Sequence, residues 1–258
     1  MDNNGAFFAL TKGEFVPAPH AHSPWATDML HGRLLGGLAA RALEAEHGDE
    51  GLRFARLTVD LFRNTSLLPI TVETSRVRDG RRIRVADATL STEQGPVARA
   101  SAVLLREGEQ PPGETTHTKA WDAPVPDGPP LDGGLRLPFH LWQLTAWGVD
   151  PGPHRAWVRE AFPLVEGEQA TPFTHAALAA DFASPLGNVG SAGLHFINAD
   201  FTLTLARLPR SEELGLEASG HLSADGIALG QCVMHDTLGP IGYCVVTAVA
   251  NPATRASR

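Results

Sequence analysis

Four runs in the first part of the chain alternate apolar with polar positions: Phe54–Arg63, Ile70–Val77, Ile83–Ser91 and Val97–Arg106. They are rich in Val, Ile, Thr and Leu, and a period of two in such residues predicts half-buried strands. Arg78-Asp79-Gly80 and Glu93-Gln94-Gly95-Pro96 supply turn residues between them. An opening strand is predicted near Phe7–Val16, and the spacing of apolar residues from about Gly32 to Glu46 predicts a helix. The later part of the chain reads the same way. A strand near Ala156–Phe162 and a helix near Pro172–Ala183 precede strands near Leu194–Arg207, Leu214–Leu222, Ile227–His235 and Ile241–Val249. Thr171 suits the N-cap of the second helix, with Pro172 in its first turn, and Pro185 is expected to end it.

The likeness of the two parts extends to individual residues. At an offset of 144, His31 falls on His175, Leu34 on Leu178, Arg63 on Arg207, Glu73 on Glu217, Ile83 on Ile227, and Gly95-Pro96 on Gly239-Pro240. The register holds without a gap from residue 31 to about 104, which predicts a structural duplication. Each half offers several strands but one long helix, so its sheet must wrap that helix to bury an apolar face. Glu107–Pro138, dense in Pro and Gly, reads as a surface linker.

Composition narrows the function. The chain has 258 residues, 43% of them hydrophobic and 19% charged, which suits a globular fold with a sizeable core. Its formal net charge is −8, and it lacks a long basic tract, which argues against a nucleic-acid partner. No apolar run is long enough to predict a membrane span, and the N-terminus lacks a secretory pattern. Cys232 and Cys244, placed symmetrically about Leu238, are expected to face each other across a hairpin as reduced thiols, so the expected compartment is cytoplasmic. His140, His154, His195 and His221 have no metal-ligand spacing. Neither a phosphate loop nor a dinucleotide fingerprint is present, and no metal or cofactor is expected.

The segment His31-Gly32-Arg33-Leu34-Leu35-Gly36-Gly37-Leu38-Ala39-Ala40 resembles the glycine-rich start of the first helix in acyl-CoA thioesterases of the bacterial type II class. Leu57–Arg63 resembles the strand that follows, and Asp79-Gly80-Arg81-Arg82 and Gln94-Gly95 continue the pattern. In the second half, His175–Asp181 resembles the segment carrying that family's catalytic aspartate, and Asp200–Arg207 its next strand. The resemblance implies an α+β double hotdog: two tandem hotdog repeats, each wrapping an antiparallel sheet around a central helix. The N-terminal hotdog would span residues 1–106, the linker 107–138 and the C-terminal hotdog 139–258. The implied activity is hydrolysis of a fatty acyl-CoA to free fatty acid and CoA. A double hotdog already contains the pairing that single hotdogs obtain by dimerising, so a homo-oligomer is optional.

The resemblance also implies a network of Asp, Thr and Gln around an attacking water. Asp181 fits the Asp position, Asn198 stands at the Thr position and Thr247 at the Gln position, the last two being departures that can still hydrogen-bond. The residues support the aspartate independently. From Gln169 to Ala199, Asp181 is the sole Asp, Glu, Lys or Arg. It shares a helix face with Ala177 and Leu178, where burial would raise its pKa. It also sits near a helix C-terminus, where the macrodipole disfavours negative charge. Stability alone would not select it.

Two readings stay open at the remaining positions. Gly36 and Gly37 suit either close approach of an acyl group or close helix packing. Asn198 shares an alternating strand face with Asp200, Thr202 and Thr204, a pattern that equally fits a solvent face. Thr247 stands in a Val-rich strand, and His31 near a helix start, where capping or packing would explain either residue. Trp121, Trp142, Trp147 and Trp157 could cover the opening of the second half or line an acyl pocket, and core packing is the expected role. Arg63, Arg207 or the Arg76–Arg84 group are candidates to meet CoA phosphates. A hotdog hydratase would resemble this fold, but it carries an Asp and a His five residues apart. Here Leu186 stands at that spacing from Asp181, and Arg33 from Asp28. A non-catalytic acyl-thioester binder with a degenerate site is the alternative from a different class.

Overall fold

The computed structural model describes residues 5–131, 137–150 and 152–251. The chain opens with a hairpin of β1 (Phe8–Thr11) and β2 (Glu14–Pro17). A single strand over Phe7–Val16 is therefore corrected: Lys12 and Gly13 take φ of 52° and 85°, a turn that reverses the chain. The short strands β3 (His22–Ser23) and β4 (Ala26–Leu30) lead into α1 (Gly32–His47). Then come β5 (Leu52–Leu61), β6 (Thr71–Asp79), β7 (Ile83–Thr92) and β8 (Gly95–Arg106). Beyond the linker lie β9 (Phe139–Gln143), β10 (Arg155–Glu160), α2 (Pro172–Ala180) and α3 (Ala183–Asn188). The strands β11 (Val189–Gly190), β12 (Gly193–Leu194), β13 (Phe196–Asn198) and β14 (Asp200–Leu205) follow. The chain finishes with β15 (Leu214–Ala224), β16 (Ile227–Asp236) and β17 (Gly239–Ala250).

One antiparallel sheet of eleven strands runs β6-β7-β8-β5-β14-β17-β16-β15-β10-β9, with β13 also paired to β17. The bounds of β7 and β8 recur 144 residues later as those of β16 and β17. The ladder joining β5 to β14 pairs Asp60 with Asp200, Thr58 with Thr202 and Arg56 with Thr204. At that offset it reads the same from either strand. The Thr58 and Thr202 hydroxyls, 3.1 Å apart, mark its midpoint.

The helices lie on the inner side of this sheet. α1 packs on β6, β7 and β8, while α3 packs on β15, β16 and β17. Leu34, Leu35, Leu38 and Leu43 of α1 are fully buried, each adding about 1.5–3 kcal/mol of apolar transfer. Gly36 and Gly37 set the closeness of this packing. A Cβ on Gly36 would lie 2.4 Å from the Phe201 ring, and one on Gly37 would lie 2.6 Å from Leu178 of α2.

The linker has no helix or strand between Glu107 and Leu131 and is docked on the outer side of the second half. Trp121 stacks on His235 with centroids 4.8 Å apart and meets Trp157 edge-on. The Trp157 indole donates to the Ala123 carbonyl at 2.9 Å. These rings clamp the linker to the sheet rather than line an inner pocket. Cys232 and Cys244 are directly paired across β16 and β17, and both are buried.

Candidate active site

The site forms where the second helix breaks. Pro185 does not end a helix running to Ala183; instead, α2 stops at Ala180 and helical turns resume as α3. Proline acts four residues upstream, because its ring crowds the carbonyl of residue i−4 and it has no N–H to bond that oxygen. For Pro185 that carbonyl belongs to Asp181, which accepts the Ser184 N–H at 3.0 Å instead. Asp181 and Phe182 keep right-handed helical angles, so the chain bends without unravelling. The elbow carries Asp181, which is only 8% exposed.

A strand irregularity brings the second group. Between β13 and β14, Ala199 interrupts the pairing: its N–H donates to the Thr247 carbonyl, and the Thr247 N–H donates to Asp200 Oδ1 at 2.6 Å. A bulge of this kind reverses the sense of alternation. Asn198 therefore does not share the outward face of Asp200, Thr202 and Thr204. It turns inward, and its Nδ2 donates to Asp181 Oδ1 at 2.7 Å. In the first half the register shifts at Ala55, the counterpart of Ala199. The residue before it is Phe54, which stacks on Phe173 at 4.2 Å, and Gly37 stands in the place of Asp181. The carboxylate and amide thus belong to one half alone.

The third wall is the start of α1. His31 is its N-cap residue, and its Nδ1 lies 4.0 Å from Asp181 Oδ2. The first amides of a helix have no intrahelical acceptor, and Gly32, the first residue of α1, lines the cleft. Burial holds the His31 imidazole well below its ordinary pKa, helped by the charges of Arg33 and His22, so it is neutral at pH 7. Burial pushes the Asp181 carboxyl up, while the Asn198 hydrogen bond and the charge of Arg33 pull it back. The cleft between these elements has a volume of about 220 Å³. Trp25, Met29, Leu35, Leu61, Ile197 and Val249 give it apolar walls, with Arg63 and Asn64 at its edge.

Asp181, Asn198 and His31 come together, whereas the other three site candidates lie elsewhere. Thr247 alternates with the buried Val246 and Ala248, so its side chain faces the other side of β17. Gly36 and Gly37 are consumed in packing, and Gly32 is the α1 glycine that lines the cleft. Of the arginine candidates, Arg63 alone lines the cleft. Arg207 is held bidentately by Asp236, and Arg84 by Asp79 and Asp49. The apolar wall residues were not singled out from the sequence, among them Trp25, which no local pattern distinguishes; nor was Gly32, whose position at the helix start was the available signal. Among the described residues, no cluster of His, Cys, Asp and Glu could hold a metal ion, and no helix is long and apolar enough to cross a membrane.

Two family profiles match the chain. Residues 21–105 match the acyl-CoA thioesterase N-terminal domain, and residues 109–249 match the acyl-CoA thioesterase C-terminal domain. Among solved structures, a putative thioesterase II from Thermobifida fusca superposes with a TM-score of 0.70 at 15% identity, covering 97% of each chain. A TesB protein from Mycobacterium avium subsp. paratuberculosis gives 0.68 at 16% identity, covering 94% of this chain and 95% of its own. A hot dog fold protein of unknown function from Alicyclobacillus acidocaldarius gives 0.68 at 16% identity, covering 96% of each chain. A search of curated protein sequences found no match. The chain belongs to the acyl-CoA thioesterase family, and it is a thioester hydrolase with the hot dog fold.

Proposed function

We propose that the protein hydrolyses a fatty acyl-CoA to free fatty acid and CoA in the cleft between the start of α1 and the α2–α3 elbow. The observation that carries this reading is the placement of Asp181: a buried carboxylate with one oxygen held by Asn198 and the other 4.0 Å from His31 Nδ1. Asp181 Oδ2 takes a proton from water as the water oxygen bonds to the thioester carbonyl carbon. A positioned carboxylate contributes on the order of 100-fold to 10,000-fold in such a step. The carbonyl oxygen becomes an oxyanion and is met by the Gly32 and Arg33 N–H groups. Collapse breaks the C–S bond, and the CoA sulfur leaves with the proton that Asp181 had accepted. His31, neutral, orients the water or the carbonyl rather than transferring the proton.

The apolar wall from Trp25 to Val249 takes the acyl chain, and Arg63 meets the CoA phosphates at the edge of the cleft. We read residues 1–106 and 139–258 as tandem hotdogs joined by the linker 107–138. The recurring strand bounds and the self-matching β5–β14 ladder support that reading. Release of free CoA from acyl-CoAs ranging from acetyl to palmitoyl, with Asp181→Ala as control, tests the proposal. Binding without CoA release would mark a non-catalytic acyl-thioester binder, and hydration of an enoyl-CoA would mark a hydratase.

A further inference from the structure

We propose that Leu35 closes the inner end of this cleft and restricts the substrate to short acyl chains, of about four to six carbons. The proposal deepens the hydrolytic reading and rests on it.

The cleft owes its space to a difference in how the two helices begin. α2 starts one turn earlier in the repeat than α1, and that turn carries Phe173, which stacks on Phe54 at 4.2 Å. In the first half the matching residues stay extended through β4 and the His31 cap, with Met29 in the place of Phe173. Asn198 stands in the place of Phe54. Met29 and Asn198 both line the cleft. The rings that seal one end of the helix pair are therefore missing at the other, and a cleft is left between the elements.

Inward, this cleft is blind. Leu35, one turn into α1, is buried and lines it. A Cβ on Gly32 would lie 3.1 Å from Leu61, so α1 already touches β5 at the level of the cleft. One turn further, Gly36 abuts the Phe201 ring and Gly37 abuts Leu178, which shuts the way between α1 and the sheet and the way between α1 and α2. Leu38 and Ala39, which follow on α1, are fully buried. A chain passing Leu35 would have to displace these packed groups, and forcing extra methylenes into a filled core costs about 1–3 kcal/mol.

Volume then sets the length. The cleft measures about 220 Å³. A methylene needs nearly the room of a water molecule in the liquid, about 30 Å³, so the cleft holds roughly seven such groups. With the attacking water and the carbonyl oxygen among them, about five places remain for acyl carbons. The counterpart of Leu35 in the second half is the buried Ala179, so the repeat itself does not demand a large side chain at this position.

The test measures kcat/KM for CoA release along the straight-chain series from butyryl-CoA to decanoyl-CoA. Dissociation constants of the matching S-alkyl-CoA thioethers, which cannot be hydrolysed, are measured beside it. In the wild type both are expected to be best at about four to six carbons and to worsen at least about tenfold by decanoyl. Leu35→Ala, which shortens the side chain by about three carbons, is expected to move both optima about two carbons longer. Leu35→Val, a smaller truncation, is expected to move them by about one carbon and decides the matter if Leu35→Ala does not fold. A wild-type optimum at decanoyl, or an optimum unmoved in a folded variant, overturns the proposal. Hydrolysis without a length preference overturns the limit and leaves the hydrolytic reading intact. Thioether affinities that follow the expected pattern while no acyl-CoA is hydrolysed overturn the hydrolytic reading and leave the length limit standing. Thioethers that do not bind at all overturn both.

Discussion

Asn198 Nδ2 donates to Asp181 Oδ1 at 2.7 Å, tying a bulged strand to a broken helix. Both irregularities are needed for the contact. Without the bulge at Ala199 the amide would face outward with Asp200, and without the elbow the carboxylate would continue along a helix face. The hydrogen bond favours the ionised carboxylate, so it supports the charge state as well as the orientation.

Asn198→Ala is therefore expected to lower kcat/KM by roughly tenfold to a hundredfold, matching the 1.5–3 kcal/mol of a hydrogen bond to a charged group. Its acidic limb should move to higher pH, because the carboxyl loses a partner that lowers its pKa. Asn198→Thr, which retains a donor, should recover much of the loss. Rate–pH profiles of the three proteins check both statements.

Pro185→Ala gives position 185 an N–H and removes the ring that crowds the Asp181 carbonyl. The two helices should then run together, carrying Asp181 away from Asn198. The expected outcome is a fall in CoA release of at least about tenfold, with thermal stability unchanged or raised. Activity and melting temperature, measured side by side, test whether the elbow exists to place the carboxylate.

Gly36→Ala should act on stability instead. The added methyl would lie 2.4 Å from the fully buried Phe201 ring, which has no room to yield. Overpacking of this kind costs about 1–3 kcal/mol. Urea unfolding should show that loss, while activity per folded molecule stays close to wild type. A large loss of activity at unchanged stability would instead place this glycine in the acyl site.

His31 is held well below the ordinary imidazole value of 6.5 in the folded chain, so folding favours its neutral form. With a depressed folded pKa, its contribution to stability is fully present above 6.5 and is lost as pH falls toward the folded value. Unfolding free energies of wild type and His31→Gln should therefore diverge below that pH, with the wild type declining faster on acidification. Parallel curves would contradict a buried neutral imidazole.

Much of this arrangement was legible in the chain. Alternation from Ile83 to Ser91 and from Val97 to Arg106 located two long strands to within a few residues, because side chains there point strictly in and out. Asp181 stood out as a lone charge in an apolar stretch. What escaped depends on contacts distant in sequence. The bulge at Ala199 is fixed by Thr247 and the Asp200 side chain, so alternation alone assigned Asn198 to the wrong face. Pro185 signalled a helix end, but its steric effect falls at residue i−4. Nothing near Arg33 announces that Glu160 and Pro138, more than a hundred residues away, bury it. Trp121 and Trp157, for which packing was the expected role and an acyl pocket one alternative, hold the linker to the outer face, and Trp25 lines the cleft.

In the proposed mechanism Asp181 is kept, at an energetic cost, for chemistry. Its folded pKa is raised, so its stability contribution is present below 3.8 and is lost as pH rises through the folded value. The decisive measurement is a comparison of wild type with Asp181→Asn at neutral pH, recording CoA release from an acyl-CoA and the melting temperature of each. The expected result is a rate loss of at least about 100-fold together with a melting temperature above that of wild type, the gain vanishing near pH 4. An Asp181→Asn protein that releases CoA at the wild-type rate would contradict the account.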